Sequence, residues 1–291
     1  MTKVIEKETK EKTKENKFVP LYYDKLFKKV FCDDNDLSLL KYLLNQALDI
    51  NPVDIVIKNA EILGDVYQTK RTYLDLVVKL DDGTVVNIEV NTNSGDYFKD
   101  RNFTYECRLV SNNLKPNDQY VDLSKHIQLN LNINSPQTKP IMNYQLIDLE
   151  TKEVLTDKLQ IIHIDVSYYV EKCYNGDIEK LSEFEKLMGL IGSKEEANLK
   201  FFKDEKGKLM DIMEKADKFR NDDNIIEAYD YDEMMESLKR RQIRDAEKKA
   251  TIDNTNEIAC NLIKENVSFD IISKTTGLPL EQINALKNNM K

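Results

Sequence analysis

The chain has 291 residues, 33% of them charged, with a net charge of −9 and no tryptophan. That length accommodates one large domain or a core with an extension. The acidic balance excludes the strongly basic whole-protein field usual in nucleic-acid binders, though local basic patches can still engage phosphates, and no apolar run approaches the roughly 18 residues of a membrane span.

Residues 1–17 alternate Lys, Glu and Thr and read as a solvated tail. They lack the apolar core of a signal peptide. Order is expected from Phe18. In LYYDKLFKKVF, Leu26, Phe27, Val30 and Phe31 have amphipathic helical spacing. Asp24 stands near the start of that helix, where a carboxylate suits the free N–H groups and the dipole. A second helix carries Leu39, Leu40, Leu43, Leu44, Ala47 and Leu48 inward and ends at Asn51-Pro52. Val53–Leu63 alternates as a first strand, with Glu61 near its end.

The stretch 73–91, TYLDLVVKL-DDG-TVVNIEVN without its leading Thr72, predicts a β-hairpin. Leu74, Leu76, Val78 and Leu80 share one face of its first strand; Val86, Ile88 and Val90 share one face of the second. A three-residue loop Asp81-Asp82-Gly83, with Gly83 left-handed, pairs Leu80 with Thr84. Counting back sets Asp75 opposite Glu89, Cβ atoms about 5 Å apart, with Asn91 two residues further on the same face. Two such carboxylates repel unless a cation lies between them, and a hard divalent ion with oxygen ligands suits them. Solvent-facing polar residues of an antiparallel sheet are the other reading.

A helix is expected over Asp96–Leu114, bearing Lys99, Arg101, Tyr105 and Arg108, and then a strand over Lys125–Ile133. Two more strands, Met142–Leu149 and Val154–Val166, follow. From Ser167 the pattern turns helical: around Leu181–Ile191, Lys194–Phe219 and Asn224–Ala250, then three short units, Glu257–Glu265, Ser268–Thr276 and Leu280–Met290. Ser268 and Thr276 stand where helix caps belong. The basic run Lys239–Lys249 reads as a phosphate track or as a solvated helix face. The expected organisation is a tail (1–17), an α/β core (18–166) and a helical extension (167–291) ending in a helix-turn-helix-like unit.

Four scattered cysteines without a CxxC pair, and only His126 and His163, give no zinc-site spacing and no Ser–His–Asp or Cys–His constellation. Cysteine usage fits a reducing cytoplasm. There is no P-loop and no GxGxxG. His163 reads as a sheet histidine on a polar surface.

The order helix, strand, strand, strand, helix, strand, with Asp75 on the second strand and Glu89-x-Asn91 on the third, resembles the PD-(D/E)XK nuclease superfamily. It is closest to the PD-(D/E)XK family transposases, or recombination-promoting nucleases. YYDKLFKKVF, YLDLVVKLDDGTVVNIEVN and YFKDRNFTYECRLV carry the likeness, and FDIISKTTGLPLEQINAL is similar to a carboxy-terminal motif of that group. The resemblance implies a restriction-endonuclease-like core, a mixed central sheet flanked by helices, with a mostly helical C-terminal extension. It implies a Mg²⁺-dependent DNA endonuclease, with Mn²⁺ as a substitute, linked to recombination or a mobile element. Asp75 and Glu89 would hold the metal, with the Val90 carbonyl as a further ligand. Asn91 stands where the superfamily often has Lys and this group often has Gln. An amide there binds water but brings no charge, so a weak or inactive homologue serving as a nucleic-acid- or protein-binding module is the alternative. Asp24 would support the site or simply cap its helix. Arg101 would contact the scissile phosphate or form an ion pair with Asp96 or Glu106. DNA is the expected partner, without a membrane, and the helical carboxy half is a candidate for self-association.

Overall fold

A computed structural model describes residues 18–33, 35–58, 61–62, 72–73, 76–92, 97–113, 119–134 and 137–289, without side-chain detail at 61–62, 72–73, 97 and 98. The chain divides into two compact units, 1–226 and 227–291.

In the first unit, helices α1 (Asp24–Phe31) and α2 (Ser38–Leu48) precede the sheet. Their apolar residues recur every three or four positions, and Leu26, Phe27, Val30, Phe31, Leu39, Leu40, Leu43 and Leu44 are all buried. The strands are β1 (Ile55–Lys58), β2 (Glu61–Ile62), β3 (Thr72–Tyr73), β4 (Leu76–Leu80), β5 (Val85–Asn91), β6 (His126–Asn132), β7 (Ile141–Ile147) and β8 (Val154–Asp165). Helix α3 (Tyr97–Asn112) joins β5 to β6. The expected strand over 53–63 divides. Its first part, β1, is an edge of the main sheet, and β2 pairs with β3 in a separate two-stranded ladder.

The main sheet has the order β1-β4-β5-β6-β8-β7. β1, β4 and β5 pair antiparallel, β5, β6 and β8 parallel, and β7 antiparallel to β8. A mixed sheet flanked by helices was the expected architecture. The hairpin turn follows the expected chemistry. Gly83 has φ +86°, a conformation that a Cβ disfavours. Leu80 N–H donates to the Thr84 carbonyl at 2.8 Å, and the ladder continues through Val77↔Asn87 to Leu76↔Ile88. This is the register on which Asp75 was set opposite Glu89; Asp75 itself lies outside the described residues.

Parallel inner strands are buried on both faces, and β6 shows it: every residue from His126 to Asn132 is buried. Ile127, Leu129 and Leu131 join the apolar core with Val86 and Ile88 of β5 and Ile162 and Ile164 of β8. The opposite face lies under α3.

Helices α4 (Val166–Asn175), α5 (Glu183–Gly192) and α6 (Lys208–Arg220) follow, with 3₁₀ turns at Tyr120–Asp122, Ile178–Lys180 and Glu196–Phe202. The stretch expected to be helical over 194–219 is thus a 3₁₀ turn and then α6. Ser182 caps α5 in a capping box with Glu185.

Helix α7 runs unbroken over Asp223–Lys264, where two helices were expected. In the second unit its end packs with α8 (Phe269–Thr276) and α9 (Leu280–Asn289) around Ala259, Ile272 and Ile283. Gly277 closes α8 in the left-handed region, φ +74°. Ser268 occupies the N-cap position of α8 without a side-chain capping bond, and the Thr276 hydroxyl bonds back to the Ile272 carbonyl instead of capping α9.

Candidate active site

The site face of the sheet is set by the two-residue period of its strands. Asn87, Glu89 and Asn91 of β5 lie level with Gln128, Asn130 and Asn132 of β6, and these with Ile161, His163 and Asp165 of β8. Glu89 is 2% exposed, and Asn87, Asn91, Gln128, Asn130 and Asn132 are also buried. Buried polar groups need partners, and here the amides supply most of them to one another; among the described residues Asn87 Oδ1 finds none. Asn87 Nδ2 donates to Gln128 Oε1 at 2.7 Å and to Glu89 Oε1 at 3.3 Å. Asn130 Oδ1 accepts from Asn102 Nδ2 at 2.5 Å and from Gln128 Nε2 at 3.2 Å, while Asn130 Nδ2 donates to the Ile162 carbonyl at 3.3 Å.

One chain within this network has a fixed polarity. A guanidinium has donors only, so Arg101 Nη2, 2.7 Å from Asn91 Oδ1, sets the orientation of the Asn91 amide. Asn91 Nδ2 then donates to Asn132 Oδ1 at 3.0 Å, and Asn132 Nδ2 faces His163 Nδ1 at 3.2 Å. His163 Nδ1 must accept, which leaves the ring proton on Nε2. Burial, and then the charge of Lys99, hold the His163 pKa below its ordinary value, consistent with a neutral ring. Arg101 also donates from Nε to Asn102 Oδ1 at 3.3 Å and lies over the Tyr105 ring, 5.6 Å from its centroid. Tyr105 packs with Leu109 on Val77 and Val85.

The structure therefore brings together Glu89, Asn91 and Arg101. Asp24 is the first residue of α1 and pairs with Lys28 of the same helix at 2.7 Å. Asp96, one ion-pair partner considered for Arg101, lies outside the described residues. Glu106, the other, faces His126 of β6, with 3.7 Å between Oε1 and Nδ1. Both side chains are fully buried, and neither makes a hydrogen bond among the described residues. The distance alone would allow an ion pair. Burial opposes it, pushing Glu106 up to about 8 and His126 down to about 4, so both are neutral at pH 7.

Sequence reasoning missed the amide network and the burial of both histidines. The signal was present in KHIQLNLNI. An exposed strand face seldom carries only neutral amides, whereas Gln128, Asn130 and Asn132 include no Lys, Glu or Thr. Among the described residues no three carboxylate, thiol or imidazole side chains gather as a metal cluster. None of their helices is long and apolar enough to cross a membrane.

A buried Glu on β5, two residues from the Asn91 that an Arg of the following helix holds, sits on a mixed sheet in the order antiparallel hairpin, crossover helix, parallel strand. A family model described as PD-(D/E)XK nuclease family transposase matches residues 21–260. The chain belongs to that family. Membership makes it one of a nuclease family linked to transposition, and the mixed six-stranded sheet agrees with the nuclease-like α/β fold. No curated protein and no solved structure matches the chain.

Proposed function

We propose that this PD-(D/E)XK family member hydrolyses a DNA phosphodiester as a divalent-metal-dependent endonuclease serving recombination or a mobile element. The single observation that carries the reading is the Arg101–Asn91 hydrogen bond of 2.7 Å beside the buried Glu89. Asn91 brings no charge where the superfamily often has Lys. Arg101 supplies a permanent cation to the same place from α3, and a planar guanidinium suits the two oxygens of a phosphate. Asn91 is then a positioning residue: its Oδ1 holds Arg101 and its Nδ2 ties that hold to Asn132.

The donor set fits a hard cation. Glu89 and the Val90 carbonyl offer oxygen only, and Asp75 would add a second carboxylate. Bound Mg²⁺ or Mn²⁺ would supply Lewis acidity, offsetting phosphate charge and making a bound water more acidic. Asn87 fixes the Glu89 carboxylate through its hydrogen bond to Oε1, and burial keeps it from bulk water.

A basic concavity of about 780 Å³, lined by Lys25, Lys28, Lys29 and Lys58 and reaching Leu76, supports a path for the phosphate backbone despite the acidic total charge.

The test is plasmid nicking with Mg²⁺, Mn²⁺ or EDTA. The wild type nicks with either metal and not in EDTA, and Glu89→Ala or Asp75→Ala falls to background with the fold intact. Metal-dependent nicking by the doubly substituted protein would sink the assignment. Nucleic-acid binding without nicking by the wild type would favour the alternative of a binding module.

A further inference from the structure

A cavity of about 370 Å³ opens between α3 and strands β7 and β8, within the roughly 300–1,000 Å³ range of small-molecule sites. Two of its walls belong to the network above: Asn102, which holds Asn130 and Arg101, and His163, the last member of the chain that begins at Arg101. Two others are aromatic side chains left open to solvent, Phe103 at 50% and Tyr144 at 43% exposure. Tyr144 is held in place, its ring edge-on to His163 at 5.5 Å and its hydroxyl 3.4 Å from Met142 Sδ. Lys99 lies at the rim.

Phe103 of α3 and Tyr144 of β7 stand about half exposed on either side of the concavity, Tyr144 on a strand that also exposes Ile141, Leu146 and Ile147. Its polar wall includes two donors, the Lys99 ammonium and the His163 Nε2–H that the direction of the hydrogen-bond chain imposes, beside the Asn102 and Gln145 amides. A planar, π-faced ligand bearing carbonyl or ring-nitrogen acceptors on its edge satisfies aromatic walls and donors together. Nucleobases have this character, and single-stranded nucleic acids are commonly held by stacking on aromatic side chains beside cations.

We infer that this cavity holds an unstacked nucleobase of a single-stranded or frayed DNA end, next to the phosphate that Arg101 contacts. The choice of ligand rests on the nuclease reading of the adjoining site. The substrate class this assigns is DNA with unpaired nucleotides beside the cut, in place of an intact duplex. His163 reports the state of its neighbour: with Arg101 seated on Asn91, the relay of amides keeps the imidazole proton on Nε2.

The experiment is fluorescence anisotropy on the full chain in EDTA, with a labelled short oligo-dT and with the same strand in a blunt duplex. Thymine presents carbonyl acceptors and a flat face. The wild type is expected to bind the single strand more tightly than the duplex. Phe103→Ala and Tyr144→Ala, on different elements and both half exposed, are each expected to weaken single-strand binding roughly tenfold or more, the scale of one lost stacking contact. Phe103→Trp keeps the affinity. Unchanged single-strand affinity in both alanine variants overturns the inference, and so does tighter binding of the duplex by the wild type. EDTA removes cleavage from the measurement. A protein that nicks with Mg²⁺ yet shows no aromatic dependence loses the base pocket and keeps the nuclease reading. One that never nicks yet shows that dependence keeps the pocket and loses the reading.

Discussion

Both faces of β6 are closed to water, yet they are built from different chemistry. Ile127, Leu129 and Leu131 enter an apolar core; Gln128 and Asn130, one residue out of phase, enter a network of amides beneath α3. The first face gains by removing hydrocarbon from water and tolerates any well-shaped neighbour. The second gains little from burial itself, because each amide loses water before it finds a partner. What it obtains is direction: the donors face acceptors within the network, and Arg101 is held at one place. A face organised for position and a face organised for stability should fail differently when broken.

The largest effect is expected on the apolar side. Leu129 has no exposed surface, and Leu129→Ala should cost about 4 kcal/mol through lost transfer energy and a residual cavity. Urea unfolding measures it. The cost should not change between pH 6 and pH 8, and single-strand affinity should stand as long as the protein is folded. An affinity loss in the folded variant would show that the two faces are not separable.

On the amide side, Asn130 is the hub. Its Oδ1 faces Asn102, Gln128 and, at 3.5 Å, Asn91. Asn130→Leu keeps the volume and strands donors, with an expected loss of about 3 kcal/mol. Unlike Leu129→Ala, it should also impair whatever Arg101 does, because Asn102 and Asn91 both hold that guanidinium. Asn130→Asp keeps the acceptor but loses the donor to the Ile162 carbonyl and sets a second buried carboxylate level with Glu89, so it should recover little of the stability. If Asn130→Leu behaves like Leu129→Ala in both assays, the amide face is packing and nothing more.

This contrast also marks what could be read from the sequence. Alternation of Leu, Ile and Val revealed the apolar face, and Asp81-Asp82-Gly83 revealed the hairpin register, because a left-handed third loop residue leaves few other pairings. The amide face stayed hidden, since alternation says which residues differ and cannot say that both sets are buried. That depends on β6 lying between two parallel neighbours. The partners of Asn91 come from β6 and α3, 39, 41 and 10 residues away, beyond any local pattern. The long α7 was misread for a different reason. TIDNTN (251–256) looks like a break because Thr, Asp and Asn compete for backbone hydrogen bonds. Here Thr251 and Thr255 bond back to the carbonyls of Glu247 and Thr251, so the helix continues.

The smallest expected effect concerns the pair that the amide network leaves out. Glu106 titrates near 8 in the folded chain against an ordinary 4.5, raised by burial, and His126 near 4 against 6.5, lowered by burial. A carboxyl whose folded pKa is raised binds more protons in the folded state, so its contribution to stability is lost as pH rises from about 4.5 through about 8. A histidine whose folded pKa is lowered acts oppositely, and stability grows as pH rises from about 4 to about 6.5. Between pH 4.5 and 6.5 the two slopes offset one another. Above 6.5 His126 is neutral in both states and only Glu106 still titrates. From pH 6.5 to 8 the chain should therefore lose about 2 kcal/mol, at roughly 1.4 kcal/mol per pH unit. Glu106→Gln, isosteric and never charged, should abolish that decline and be the more stable protein at pH 8, as read from urea midpoints at the two pH values. Equal slopes in the two proteins would mean that Glu106 is already ionised against a protonated His126, making the pair a buried salt bridge and a second charged centre under α3.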